Sequence, residues 1–163
     1  MSHPGAVATP EDNPSPGVAW HYGDPLGEQR TATRTAAIVD RSDRAVIEIS
    51  GDERLSWLHT ISSQHLTTLG DRRSAENLSL DGNGRVEDHF VLTDLDGTTW
   101  IDTEASRGAP LAEFLTKMVF WAKAAPAARP DMKVLTLLGP DVLTGPIAEA
   151  IGLPADTAPY RAG

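Results

Sequence analysis

The tetrapeptide Asp81-Gly82-Asn83-Gly84 limits the fold of this chain more than any other segment. Asn and Gly tolerate the positive φ that a tight hairpin bend demands, and here they stand between two β-patterned runs. Ala75–Leu80 leads into the bend and Arg85–Asp94 leaves it. In the returning run, a period of two sends Val86, Asp88, Phe90 and Leu92 one way. Arg85, Glu87, His89, Val91 and Thr93 are sent the other way. A second bend at Asp96-Gly97 feeds Thr98–Thr103, so the middle of the chain reads as an antiparallel meander.

The flanking segments read as a mixture. Ala45–Ser50 is rich in β-branched residues and is predicted to be a strand that Gly51 ends. Asp52 is a suitable N-cap for a helix through about Ser62, with Leu55, Leu58 and Ile61 roughly on one face. A later helix carries Pro110 near its first turn and Leu111, Phe114, Leu115, Met118 and Ala122 at helical spacing. Lys133–Leu138 is the last predicted strand, closed by Gly139-Pro140, with a short helix to about Ile151. The order lacks a repeating βαβ unit. It predicts an α+β fold with an antiparallel or mixed sheet and helices.

Residues 1–19 hold Pro4, Pro10, Pro14 and Pro16 among small and polar neighbours and are expected to be a disordered leader. Residues 20–163 form the domain proper, with ordered structure expected from near Ala36. Trp20, His21 and Tyr22 are expected to dock on the folded body, where one Trp contributes about 2–3 kcal/mol of burial. The chain reaches Gly163 without a capping element, so further domains are expected beyond it.

Charge and composition exclude several classes. A net charge of −9 over 163 residues disfavours a nucleic-acid backbone or an anionic membrane as the main partner. Without cysteine, this chain builds no disulfide, thiolate metal site, cysteine nucleophile or thiolate-ligated cluster. The N-terminus lacks the pattern of a secretory signal, and apolar runs such as Val134–Leu138 are too short to span a bilayer. A cytoplasmic protein is expected.

Few residue groups carry a chemical signal. Gly82-Asn83-Gly84-Arg85 precedes a strand, not a helix with an open N-terminus, so it is not a phosphate loop. His59 and His65 are predicted on different helical faces, against a zinc pair, and no metal site is expected. The run Glu87-Asp88-His89 is more informative. Asp88 falls on the predicted core face, where a carboxylate must be paired, hydrogen-bonded or shifted in pKa; it is either a structural partner of an arginine or turn, or a working group. His89 is either a solvated surface residue or a donor and acceptor in a pocket.

These residues, taken in order, resemble the YgfZ/glycine-cleavage-T-protein group. The resemblance runs through Asp40–Ser42, the strand to Gly51, the helix with Leu55, Trp57 and Leu58, and then Leu69. It continues through Asn83-Gly84-Arg85-Val86 with Asp88 and ends on Leu137-Leu138-Gly139-Pro140, covering about residues 36–151. It implies the first domain of a three-domain ring whose central hole holds tetrahydrofolate. His89 stands where T-proteins carry the acid central to aminomethyl transfer, and Asp88 matches the acid before it. Ser63-Gln64-His65 replaces the family's Thr-Asn-Asp. The resemblance places His89, Val91, Glu76, Glu48 and Arg44 at the folate, with His89 and Asp88 as candidates for chemistry. It implies a wall bearing His89 and Val91 that is open to solvent in this chain.

The departures from the T-protein pattern favour the YgfZ branch. That branch binds folate, supports iron–sulfur cluster assembly and maintenance and, through it, tRNA modification. Folate and iron–sulfur proteins are then the expected partners, with no direct nucleic-acid or membrane contact. The alternatives are a folate-dependent aminomethyltransferase using Asp88, and a non-catalytic interaction domain on the same fold.

Overall fold

A computed structural model describes residues 3–13, 15 and 17–153. Its elements in chain order are β1 (Val7–Ala8), β2 (Ala19–His21), α1 (Pro25–Arg34), β3 (Ala37–Asp40), β4 (Ala45–Ser50), α2 (Arg54–Ile61) and β5 (Arg73–Leu80). They continue as β6 (Val86–Leu95), β7 (Thr98–Thr103), α3 (Ala105–Lys117), β8 (Ala125–Ala128), β9 (Leu135–Leu138) and α4 (Pro146–Ile151). The fold is α+β, and all its strand pairs are antiparallel. The described residues divide into two compact units, one of Arg44–Lys133 and one of the described residues on either side of that span.

The central unit is a five-stranded sheet in the order β5-β6-β7-β4-β8. The meander expected from the two bends is its first three strands. Asp81 fixes the first bend by accepting the Asn83 and Arg85 N–H groups on Oδ1, each at 2.8 Å. Asp96 and Gly97 fix the second with φ of 48° and 81°, the paired positive values of a two-residue hairpin. One sheet face is buried. Ile47, Ile49, Phe90, Leu92 and Ile101 project from it into a core with Trp57 and Leu58 of α2 and Leu111 and Leu115 of α3. Each large side chain hidden there contributes about 1.5–3 kcal/mol. The Trp57 indole N–H donates to the Met118 carbonyl at 2.8 Å, tying α2 to the end of α3.

Four readings of this unit change. Asp52 does not cap α2; the N-cap is Glu53, whose side chain instead accepts the Lys123 N–H at 2.7 Å. Val86 is exposed, not inward, because a bulge at Glu87 shifts the β5–β6 register from Ser79↔Asp88 to Leu80↔Val86. An extra residue in one strand reverses the alternation beyond it. β8 was not expected at all. Its sequence Ala-Pro-Ala-Ala has poor strand propensity, but Pro126 lies on the sheet edge, where a missing N–H is tolerated. Pro110 lies in the interior of α3, not near its first turn.

The flanking unit pairs β3 with β9 from Ala37↔Leu138 to Asp40↔Leu135, so the last predicted strand does not join the main sheet. Order begins well before Ala36. Within residues 1–19, expected to be a leader, Val7–Ala8 pairs with β2; after that segment, α1 precedes β3. Asp24 caps α1 by accepting the Gly27 N–H at 2.9 Å, Pro25 supplies the preset φ of a first helical residue, and Glu28 folds back onto the Tyr22 and Asp24 N–H groups. Trp20 is 62% exposed, so its expected docking is not found. It lines a cleft instead.

Candidate functional site

The second face of the five-stranded sheet collects the sequence-singled residues. Cross-strand pairing sets Glu76 opposite Val91, Val91 opposite Asp102, and Asp102 opposite Val46. His89 is opposite Leu78, and Glu48 is opposite both Trp100 and Ala127. Alternation by two therefore brings Glu76, His89, Val91 and Glu48 to one side, away from the core cluster. Arg44, just before β4, joins them through its ion pair with Asp102.

The groups on this face are held in place. His89 Nε2 lies 3.7 Å from Glu76 Oε2, and both side chains are more than half exposed. Arg44 donates from Nε to Asp102 Oδ1 and from Nη2 to the Asp102 carbonyl. Arg129 donates to Glu48 Oε2 and makes a two-pronged contact with Asp131 at 2.9 and 2.7 Å. Its guanidinium lies 5.4 Å from the Trp100 ring centroid, a cation–π distance. The hydrogen bonds to Asp131 and then Glu48 hold Arg129 charged well above its ordinary range. The Arg129 bond also lowers Asp131 from 3.8 to about 2.

Asp88 faces the opposite way. It is 4% exposed, accepts Ser79 Oγ at 2.7 Å and Arg107 Nε at 2.7 Å, and so belongs to the buried side of the sheet. The candidates for chemistry are thus split by the sheet. His89 is on the open face and Asp88 beneath it.

Sequence reasoning missed Trp100, Asp102, Arg129 and Asp131. The first two were accessible from the alternation of β7, which repeats that of β6. Arg129 was not, because it follows a strand with no strand-like sequence; its N–H extends the ladder to the Val46 carbonyl at 2.8 Å. His59 and His65 also differ from expectation. Their rings meet edge to face at 4.7 Å because His65 lies beyond the end of α2. Among the described residues no group of three His, Cys, Asp or Glu is placed to hold a metal ion, and no helix is long and apolar enough to cross a membrane.

No protein-family model matches the chain, and no curated protein matches it. Among solved structures it is similar to the glycine cleavage system aminomethyltransferase T from Bartonella henselae, with a TM-score of 0.79. The fold is T-protein-like. Identity over the match is 20%, covering 92% of this chain and 41% of that one, so the chain spans about two fifths of that neighbour's length. The expected architecture is therefore present in this span. At that identity the likeness speaks for the fold, and the chemistry has to be argued from the residues.

Proposed function

We infer that the open sheet face is one wall of a tetrahydrofolate site in a YgfZ-like protein. The observation that carries this reading is the convergence of His89, Val91, Glu76, Glu48 and Arg44 on the face of a T-protein-like sheet away from its core, with His89 and Glu76 more than half exposed. A pterin presents ring N–H and amino donors, which suit the carboxylates of Glu76 and Glu48. The ring also offers acceptors, which suit His89. The two carboxylates would repel an anionic folate tail, a repulsion that Arg129 beside Glu48 lessens.

His89 in place of the family's acid disfavours aminomethyl transfer, and Asp88 does not substitute for it. To reach ligand on the open face, Asp88 would have to leave Arg107 and Ser79 and cross the sheet. A cytoplasmic factor that binds folate and supports iron–sulfur protein maintenance, and with it tRNA modification, fits these residues better than a transferase.

The test is titration of 5-formyltetrahydrofolate against the full-length protein, read by tryptophan fluorescence, since Trp100 lies on this face. Saturable binding weakened about tenfold or more by His89→Ala is expected, from the loss of about 1.5 kcal/mol of hydrogen bonding. Binding that is absent, or indifferent to His89→Ala and Glu76→Gln, overturns the reading. Loss of iron–sulfur enzyme activity on gene deletion, restored by the wild-type gene but not by a His89→Ala copy, tests the cellular role.

A further inference from the structure

The flanking unit holds a cleft of about 680 Å³ that the folate reading does not use. Its floor is apolar, from Ala32, Ala37, Ile38, Val39 and Leu138, and Trp20 and Tyr22 stand in its wall. Both rings are substantially exposed, at 62% and 38%. Asp24, Glu28 and Asp40 are its charged lining, His21, Gln29 and Thr31 add polar groups, and no Lys or Arg is among the lining residues. A space of this volume suits a small molecule of drug-like size.

The hydrogen bonding decides the sign of charge that such a molecule would carry. The cleft lies at the N-terminus of α1, where backbone N–H groups would ordinarily favour an anion. Here most of the nearby donors are already engaged. Gly27 N–H donates to Asp24 Oδ1, Tyr22 and Asp24 N–H donate to Glu28 Oε1, and Gly23 N–H donates to His21 Nδ1. Ser42 N–H donates to Asp40 Oδ1. The acids thus line the cleft while holding neighbouring backbone N–H groups, and Asp24 also has Arg30 at 3.8 Å. An anion would meet three carboxylates at the helix end, where the Gly27 and Glu28 N–H groups are already bonded to Asp24.

We propose that this cleft binds a small organic cation, an ammonium group attached to an apolar or aromatic body. The ammonium sits by the Trp20 face and the Asp24 and Asp40 carboxylates, and the apolar body covers Ile38 and Leu138. Aromatic faces attract quaternary and protonated amines through the ring quadrupole, and carboxylates add charge complementarity. This site is independent of the proposed folate wall, and failure of either leaves the other standing.

The experiment uses the full chain, 15N-labelled, titrated with benzyltrimethylammonium chloride and followed by NMR. Benzenesulfonate and benzyl alcohol are the anionic and neutral counterparts. Saturable shifts at the Trp20 indole and the Tyr22, Ile38 and Leu138 amides are expected with the ammonium and not with the other two. Affinity should fall at least fivefold in Asp24→Asn/Asp40→Asn and in Trp20→Ala. The asparagines keep an oxygen for the Gly27 and Ser42 N–H groups while removing charge, so an unchanged melting temperature separates site loss from unfolding. No cleft shifts, equal shifts with all three probes, or an affinity unchanged in the asparagine variant overturns the proposal. So do cleft shifts that depend on protein concentration without ligand, which would assign the cleft to a second copy of the chain.

Discussion

At the residue scale, each buried carboxylate of the sheet is matched by one arginine and one hydroxyl. Asp94 is 4% exposed and receives Arg54 Nε and Nη2 at 2.9 and 2.7 Å, with Thr99 Oγ1 at 2.7 Å. A desolvated carboxylate is tolerated only while that fork persists. Arg54→Met should cost about 3–5 kcal/mol in urea denaturation, because it strands a buried charge. Adding Asp94→Leu should recover much of the loss, and a cost below about 1 kcal/mol for the single change would show that Asp94 is not charged or not buried. At the surface, Asp131 is held at about 2 by the hydrogen bond from Arg129, against an ordinary 3.8. A depressed carboxyl stabilises the folded state above its unfolded value, and that contribution disappears as pH falls through the folded value. Carboxyl-detected NMR should therefore place the Asp131 midpoint near 2 and return it towards 3.8 in Arg129→Gln. That Asp88 faces inward was legible from its alternation with Phe90 and Leu92. That its cation is Arg107 was not, since nothing in the local pattern links β6 to the first turns of α3.

At the element scale, the bends and the strands they join were readable because turn chemistry and alternation are local. β4 and β7 begin and end where β-branched composition and bends place them. α1 was hidden by its composition, having no buried residue, although Asp24, Pro25 and Glu28 are start signals that a search for apolar periodicity passes over. The pairing of β9 with β3, and not with the meander, depends on contacts between distant parts of the chain. α3 shows how such contacts can reverse a propensity rule. Gly108 lies inside the helix, where alanine would ordinarily gain about 1 kcal/mol. A Cβ there would lie 2.2 Å from the Ala45 Cβ of β4. Gly108→Ala should instead destabilise the protein by about 1–3 kcal/mol by pushing α3 off the sheet. In a double-mutant cycle, Ala45→Gly should relieve part of that cost; additive losses would show that the helix is not seated on β4.

At the scale of the whole molecule, the described surface exposes more large apolar side chains than its folding explains. Phe120 and Trp121 are the extreme case, at 72% and 94% exposure, with ring centroids 6.3 Å apart. Phe120 also has a φ of 46°, a conformation that costs a bulky L-residue about 1–2 kcal/mol. Burial of the ring would offset that strain, and this chain does not provide it. The pair is therefore a point at which association lowers the free energy, either with further polypeptide or with another molecule. Phe120→Ser/Trp121→Ser should leave the core unchanged, since neither ring belongs to the buried cluster around Leu58 and Leu111. Sedimentation velocity should show concentration-dependent association of the 163-residue chain and its reduction in the double variant, with less binding of an apolar fluorescent dye. Iodide quenching should discriminate further, because Trp57 is buried and Trp121 is the most exposed of the tryptophans. Removing Trp121 should lower the quenchable emission and leave the share of Trp20, which is 62% exposed, and quenching that persists undiminished would mean that the Trp121 ring is already covered in solution.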